Sequence, residues 1–324
     1  MYEAFFGLAK KPFTTTPDPE FLFMTPSHRE ALAGLTYSIL ERKGFAVLTG
    51  EAGTGKTTIL SSVIGSLHGS AAYFAWILNP LLSTSELFEL ALLDFGITDV
   101  PASKAQRIVE FQSLLMKANQ EGKTSVLIVD EAHNLTPPLL EEIRLLTNFE
   151  SGGGKLLQIV LAGQSELDAL LERHDLRQLK QRISVRLTVV PLRDEQIGQY
   201  LTHRWTRAGA TADHPFEPDA IRAIGALSAG VPRIINAICD NSLLQAFADC
   251  RRRIDAQIVM SVAEDLRLHM SDTIGARLDR ESFDFSSRFP SPAGDGVPTF
   301  NGNTTTPGKQ ALVARWAERL GLRV

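Results

Sequence analysis

A glycine-rich segment that directly follows a short apolar run constrains this chain more than any other feature of its sequence. The apolar run spans residues 45–49, and the next residues read Gly50-Glu51-Ala52-Gly53-Thr54-Gly55-Lys56-Thr57. Glycines allow backbone N–H groups to converge on phosphate oxygens, and the N-terminus of a following helix adds partial positive charge. An apolar strand, a glycine-rich loop and a helix in this order predict a phosphate-binding loop for ATP and Mg²⁺.

Two side chains of this loop have predicted chemical roles. Lys56 reaches the β- and γ-phosphates, and the hydroxyl of Thr57 coordinates Mg²⁺. The other predicted nucleotide-binding positions, which act mainly through the backbone, are Gly50, Glu51, Ala52, Gly53, Thr54, Gly55 and Thr58. A coincidental glycine-rich turn is the alternative, and the flanking strand and helix patterns disfavour it.

Two adjacent acids follow a second apolar run, residues 125–129. Asp130 can hold Mg²⁺ directly or through water, and Glu131 can polarise the water that attacks the γ-phosphate. Two acids after a strand could also form a solvated turn. The phosphate-binding loop upstream favours the catalytic interpretation, in which Asp130 and Thr57 are the metal ligands and Glu131 is the base.

Apolar, β-prone runs alternate with helical patterns through the first two thirds of the chain. The runs are 45–49, 72–78, 125–129, 157–162 and 185–190, and the helical patterns are 56–67, 84–95, 103–120, 137–149 and 166–182. Short, continuously apolar strands alternating with helices predict an α/β domain with a parallel five-stranded sheet and helices on both faces. From residue 193 the patterns are helical only, at about 194–209, 217–228, 231–249 and 256–269, which predicts a small all-helical domain.

The two ends of the chain differ from this middle part. The start is rich in aromatic residues, and Ser27, with Glu30 as a capping partner, predicts a helix that runs to about residue 42. After about residue 272, Ser, Thr, Pro, Gly and Asn dominate, which predicts a disordered linker. Residues 309–322 could form a short amphipathic helix or a frayed tail. The predicted units are 1–40, 41–192, 193–270 and 271–324.

Four further polar residues are candidates for the site. Gln164 ends the fourth strand, where it could orient water, although a plain strand-ending turn is as compatible with the sequence. Arg182 and Arg186 lie in a basic stretch that is either a solvated helix face or the source of an arginine finger for a neighbour's ATP. Arg233 follows Gly230-Val231-Pro232 at the start of a helix, where it is either an exposed arginine or projects toward the nucleotide.

Taken in order, these motifs resemble the AAA+ ATPases, and closely the ExeA/GspA (general secretion pathway protein A) family. The most specific part of the resemblance is the opening, with Phe5-Phe6-Gly7-Leu8, Pro12-Phe13, Pro17-Asp18-Pro19, Phe21-Leu22-Phe23 and Ser27-His28-Arg29-Glu30-Ala31-Leu32. The resemblance implies a P-loop fold with a helical lid and a start of the chain that flanks the adenine. It also implies that Asp130 and Glu131 are Walker B, Gln164 sensor 1, Arg233 sensor 2, and Arg182 or Arg186 the finger. Secretion-type members look like fusions with a transmembrane helix and a peptidoglycan-binding domain, which this sequence is expected to lack.

The resemblance implies an ATPase that forms a homo-oligomeric ring or filament and assembles or remodels a membrane-associated export complex. Two alternatives remain, a transposition-type ATPase that binds DNA and a nucleotide-dependent scaffold with little turnover. The formal net charge of −4 disfavours DNA binding, and the balance of 44% hydrophobic and 22% charged residues is that of a globular protein. Without a recognisable signal peptide or membrane span, we expect a cytoplasmic protein that could lie at the inner membrane.

Overall fold

A computed structural model describes residues 1–69, 71–78, 83–152 and 154–268 of the 324-residue chain. The strands are β1 (Phe45–Gly50), β2 (Ala72–Ile77), β3 (Thr124–Val129), β4 (Glu150–Ser151), β5 (Gly154–Lys155), β6 (Leu157–Gly163) and β7 (Val185–Val189). The helices are α1 (Tyr2–Phe6), α2 (Pro26–Leu40), α3 (Lys56–Leu67), α4 (Thr84–Asp94), α5 (Lys104–Gln120), α6 (Pro137–Leu146), α7 (Glu166–Leu171), α8 (Arg177–Lys180), α9 (Asp194–Arg207), α10 (Pro218–Ser228), α11 (Pro232–Ala248) and α12 (Ala256–Asp265). No helix in these ranges is long and apolar enough to span a membrane.

Five strands form one parallel sheet in the order β2-β3-β6-β1-β7, as the apolar runs predict. Successive side chains of a strand point to opposite faces of the sheet, so each strand contributes side chains to two hydrophobic cores. Val47 of β1 packs into the core under α4, α5 and α6, whereas Leu48 packs into the core under α2 and α3. Because β1 and β3 are adjacent to β6 on either side, their carboxyl ends lie at the same edge of the sheet, where the loops after Gly50 and Val129 begin.

The all-helical part forms a separate core that also contains the start of the chain. Tyr2, Leu8, Phe13 and Phe21 are buried among residues of α9, α10, α11 and α12. The N–H groups of Ala9 and Lys10 donate to the carbonyl of Ala208. The predicted unit of residues 1–40 is therefore divided, because its aromatic residues complete the helical domain while α2 packs on the sheet.

Several predicted boundaries are wrong in detail. Helix α2 begins at Pro26 and is capped by Thr25, whose hydroxyl accepts the His28 N–H, so Ser27 and Glu30 are not its capping residues. The predicted helix 166–182 is broken into α7, a 3₁₀ turn at His174–Leu176 and α8. The short hairpin of β4 and β5 has no apolar pattern and was not predicted. The predicted linker and terminal helix in 271–324 lie outside the described residues.

Candidate nucleotide-binding site

The loop after β1 is held close to two neighbouring elements by its glycines. A Cβ atom at Gly50 would lie 2.4 Å from the carbonyl oxygen of Val189 in β7. A Cβ atom at Gly53 would lie 2.5 Å from the Cβ of Arg233 at the start of α11, and Gly53 also has a φ of 79°. Side chains at these positions would push the loop away from the sheet and from the helical domain. The glycines therefore set the position of the loop as well as its shape.

Lys56 begins α3 and folds back over this loop. Its Nζ donates to the carbonyl oxygens of Gly50 at 2.8 Å and Glu51 at 2.9 Å. Burial lowers the pKa of Lys56, and the negative charges of Glu131 and Asp130 act in the opposite direction. The ammonium group therefore lies within the loop, and its hydrogen bonds to described residues are to neutral backbone carbonyls.

Thr57 and Asp130 form a direct contact between the loop and the end of β3. The Thr57 hydroxyl donates to Oδ2 of Asp130 at 2.9 Å, and the Glu131 N–H donates to Oδ1 at 2.9 Å. Asp130 is 3% exposed, and burial raises its pKa although both hydrogen bonds lower it. A hydroxyl and a carboxylate at this distance fit Mg²⁺, which binds proteins through one or two oxygen ligands beside substrate phosphates. Among the described residues no cluster of three or more His, Cys, Asp or Glu side chains offers a different metal site.

Glu131 adopts a strained backbone conformation with a φ of 50°. Non-glycine residues rarely adopt left-handed angles, and such strain is common at functional sites. The conformation leaves the Glu131 side chain 46% exposed at the cavity, while Asp130 beside it is buried. The two acids therefore occupy different environments, as their separate predicted roles require.

His133 lies between Glu131 and Gln164, and its sequence position gave no indication of this. Its Nδ1 is 3.5 Å from Oε2 of Glu131 and accepts the Gln164 backbone N–H at 3.4 Å. Its Nε2 is 3.3 Å from the side-chain amide of Gln164. The structure thus brings Gln164 to the same edge of the sheet as Asp130 and Glu131, in line with the sequence-based expectation for its location.

The loop, the start of the chain and the helical domain surround one cavity of about 410 Å³. Residues 14–18 and 21–23 line this cavity together with Lys56, Glu131 and Gln164. Buried polar side chains of the helical domain hold this segment through its backbone: Asn236 donates to the carbonyl of Thr14 at 3.0 Å, and Arg204 donates to the carbonyl of Pro12, two residues before it. These two side chains were missed in the sequence because their partners lie about two hundred residues away.

The predicted arginines occupy two different surroundings. Arg233 lies at the cavity, and its backbone N–H donates to the carbonyl of Gly53 at 3.2 Å. Arg182 and Arg186 are not among the cavity-lining residues; Arg182 donates to Oγ1 of Thr147 at 2.7 Å, and Arg186 pairs with Asp168 at 3.2 Å. Both arginines therefore have partners within their own subunit.

Comparison with known proteins agrees with this geometry. A family model described as an AAA domain matches residues 39–171, which contain the loop and both acids. These residues are an AAA domain. General secretion pathway protein A of Aeromonas hydrophila is 41% identical to the chain over 249 residues, and this match confirms the resemblance to the ExeA/GspA family. It covers 76% of this chain and 45% of that relative, so the chain spans less than half of the relative's length.

Solved structures share the fold at low sequence identity. Cdc6p of Pyrobaculum aerophilum superposes with a TM-score of 0.61 at 20% identity, over 77% of this chain and 71% of that one. The ORC2 protein of Aeropyrum pernix, in its ADPNP-ADP complexes, gives a TM-score of 0.59 at 15% identity, over 79% and 71%. Together with the AAA-domain match, these similarities confirm the predicted fold, a parallel five-stranded sheet with helices followed by an all-helical part.

Proposed function

We propose that this chain binds ATP with Mg²⁺ in the cavity between the AAA domain and the helical domain and hydrolyses it to ADP and phosphate. The observation that carries the proposal is the convergence of Lys56, the Thr57–Asp130 pair and Glu131 at one edge of the sheet. A cradle of glycines, a buried cation, a hydroxyl–carboxylate pair and an exposed carboxylate form the set that phosphoryl transfer to water requires.

The described contacts suggest how these residues divide the work. Lys56 exchanges the carbonyls of Gly50 and Glu51 for phosphate oxygens when ATP binds. Thr57 and Asp130 would hold Mg²⁺, which neutralises charge on the phosphates when bound. Glu131 orients the attacking water and accepts its proton at a carboxylate oxygen, and Gln164 helps to place that water. A new bond forms between the water oxygen and the γ-phosphorus as the bond to ADP breaks.

Arg233 extends this proposal to the helical domain. Because its backbone contacts Gly53 and its side chain lies at the cavity, Arg233 can respond to the γ-phosphate and couple nucleotide state to the angle between the two domains. The start of the chain, which lines the same cavity, would enclose the adenine.

The biological setting is proposed from the relative and not from the site. The similarity to a general secretion pathway protein supports a homo-oligomer, ring or filament, that assembles or remodels a membrane-associated export complex from the cytoplasmic side. Arg182 or Arg186 would then act as a finger in a neighbour's site, which requires the contacts with Thr147 or Asp168 to be exchanged.

DNA binding of the transposition type is less well supported. The densest basic run, 251–253, is engaged within the chain: Arg251 pairs with Asp255 at 2.6 Å, Arg252 lies 4.0 Å from the ring centroid of Phe5, and Arg253 pairs with Glu217 at 3.9 Å. The contact of Arg252 with Phe5 joins the start of the chain to the helical domain, and the other two pairs lie within the helical domain. The run therefore has an evident structural use.

The test compares two substitutions with the unchanged chain. Glu131→Gln should retain ATP binding and lose turnover by roughly a hundredfold or more, because it removes the group that accepts the proton. Lys56→Ala should lose binding as well. The control is Glu142→Gln, which changes a half-buried glutamate that pairs with Lys104 and should leave ATP binding and turnover unchanged. Full hydrolysis by Glu131→Gln would contradict its role, and ATP binding without turnover by the unchanged chain would favour a scaffold.

A further inference from the structure

His28 is a buried histidine in the first turn of α2 that packs against the backbone of the phosphate loop. Its residue exposure is 3%. Its Nε2 lies 3.0 Å from the carbonyl oxygen of Thr54, and its Nδ1 lies 2.6 Å from Oγ1 of Thr25. A Cβ atom at Gly55 would lie 3.2 Å from Nε2, so the ring and the loop are in close contact.

The surrounding hydrogen bonds determine which ring nitrogen carries the proton. The Thr54 carbonyl can only accept, so Nε2 must be the donor to it. Burial lowers the pKa of His28, so the ring is neutral at neutral pH and Nδ1 is left as an acceptor. The Thr25 hydroxyl then donates to Nδ1 while it accepts the His28 backbone N–H at 3.3 Å. The capping residue of α2 therefore also fixes the tautomer of His28.

The Thr54–Gly55 peptide is the part of the loop that this tautomer restrains. A trans peptide is planar, so the N–H of Gly55 points in the direction opposite to the Thr54 carbonyl. We propose that His28 is a positioning residue that holds this peptide so that the Gly55 N–H faces the phosphates of bound ATP. The inference rests on the proposed binding of ATP.

Glycine makes such a restraint necessary. Gly55 has a φ of 100°, in a region that only glycine adopts readily, and the same freedom would allow the peptide before it to rotate. A rotated peptide would direct a carbonyl oxygen toward the phosphates and repel them. The hydrogen bond from His28 opposes that rotation before ATP arrives, so the binding free energy is not used to order the loop.

The experiment measures the dissociation constant of Mg·ATP on the full chain by calorimetry. His28→Leu keeps a bulky apolar side chain but removes the donor, and it should weaken binding about tenfold or more. His28→Gln places an amide N–H at a similar reach and should recover part of the affinity. Thr36→Val is the matched control, because it removes a buried hydroxyl in the same helix that donates to the Leu32 carbonyl at 2.8 Å; it should bind as tightly as the unchanged chain.

The tautomer provides an independent test on the unchanged chain. Nitrogen NMR of the histidine rings should show the single ring proton of His28 on Nε2, and a proton on Nδ1 would overturn the inference. Equal ATP affinity of His28→Leu and the unchanged chain would overturn it too, as would an equal loss in Thr36→Val. Failure of the unchanged chain itself to bind Mg·ATP would contradict the proposed function, and it is distinguishable from failure of the His28 inference.

Discussion

The buried carboxylate of Asp130 lowers the stability of the protein when no nucleotide is bound. Burial raises the pKa of this carboxyl, so the folded chain binds the proton more tightly than the unfolded chain does. Stability therefore falls as the pH rises from the ordinary pKa of aspartate through the raised one, and the loss persists at neutral pH. A ligand cation next to Asp130 would offset that loss.

The substitution Asp130→Asn tests this argument. An amide can accept the Glu131 N–H and donate to Thr57, so we expect the nucleotide-free protein to become more stable by roughly 1 kcal/mol. The same change should abolish Mg²⁺-dependent hydrolysis. Urea denaturation at neutral pH measures the effect, with Asp99→Asn on the exposed surface as the control. A marked destabilisation by Asp130→Asn would contradict this argument, because it would show that the negative charge of Asp130 is already compensated without nucleotide.

Elements differ in how far their sequence determines them. The parallel strands were predictable because a strand covered on both faces is a continuous apolar run, as at β1 and β3. Lys56, Thr57, Asp130 and Glu131 could be placed at one edge of the sheet because they follow the ends of β1 and β3. The packing of Phe13 in the helical domain was not predictable, because it depends on contacts with residues some two hundred positions later. For the same reason Arg204 and Asn236 were missed.

The aromatic start of the chain should therefore behave as a part of the helical domain. Phe13 is 1% exposed and its ring makes an edge-on contact with Phe216 at 5.9 Å. Phe13→Ala should reduce the free energy of unfolding by about 3–5 kcal/mol, because it leaves a cavity in that core. Lys11→Ala, an exposed neighbour, should change it little. A similarly small effect of Phe13→Ala would mean that the start of the chain packs differently.

Helix α11 is the element expected to report nucleotide state. Arg233→Ala removes the cationic group at its start but keeps the backbone contact with Gly53. We expect ATP binding to persist at weaker affinity while the ATP-induced change in small-angle scattering or protease protection disappears. Arg222→Ala, an exposed arginine on α10, is the control and should retain the response. An unchanged response in Arg233→Ala would make Arg233 a surface residue without a sensing role.

At the scale of the whole molecule, the proposed arginine finger implies that a neighbouring chain completes the site. The cavity is lined by Lys56, Glu131 and Thr57, whose hydroxyl contacts Asp130. The candidate finger residues Arg182 and Arg186 are not among its lining residues. Guanidinium groups stabilise the charge of a transferring phosphoryl and are often supplied by a neighbour. An oligomer would complete the site, and ATP bound at the interface would favour assembly by mass action.

Hydrolysis at sites shared between subunits is tested most directly by phosphate release from a mixture of two variants. One variant carries Lys56→Ala and keeps both arginines; the other carries Arg182→Ala and Arg186→Ala and keeps Lys56. Each should be inactive alone, and the mixture should regain partial activity because the first lends its arginines to the second. The control mixes Lys56→Ala with a variant that carries Lys56→Ala, Arg182→Ala and Arg186→Ala, and it should stay inactive because neither partner keeps Lys56. Full activity of the arginine variant alone, or an inactive mixture that still co-assembles, would contradict the shared site.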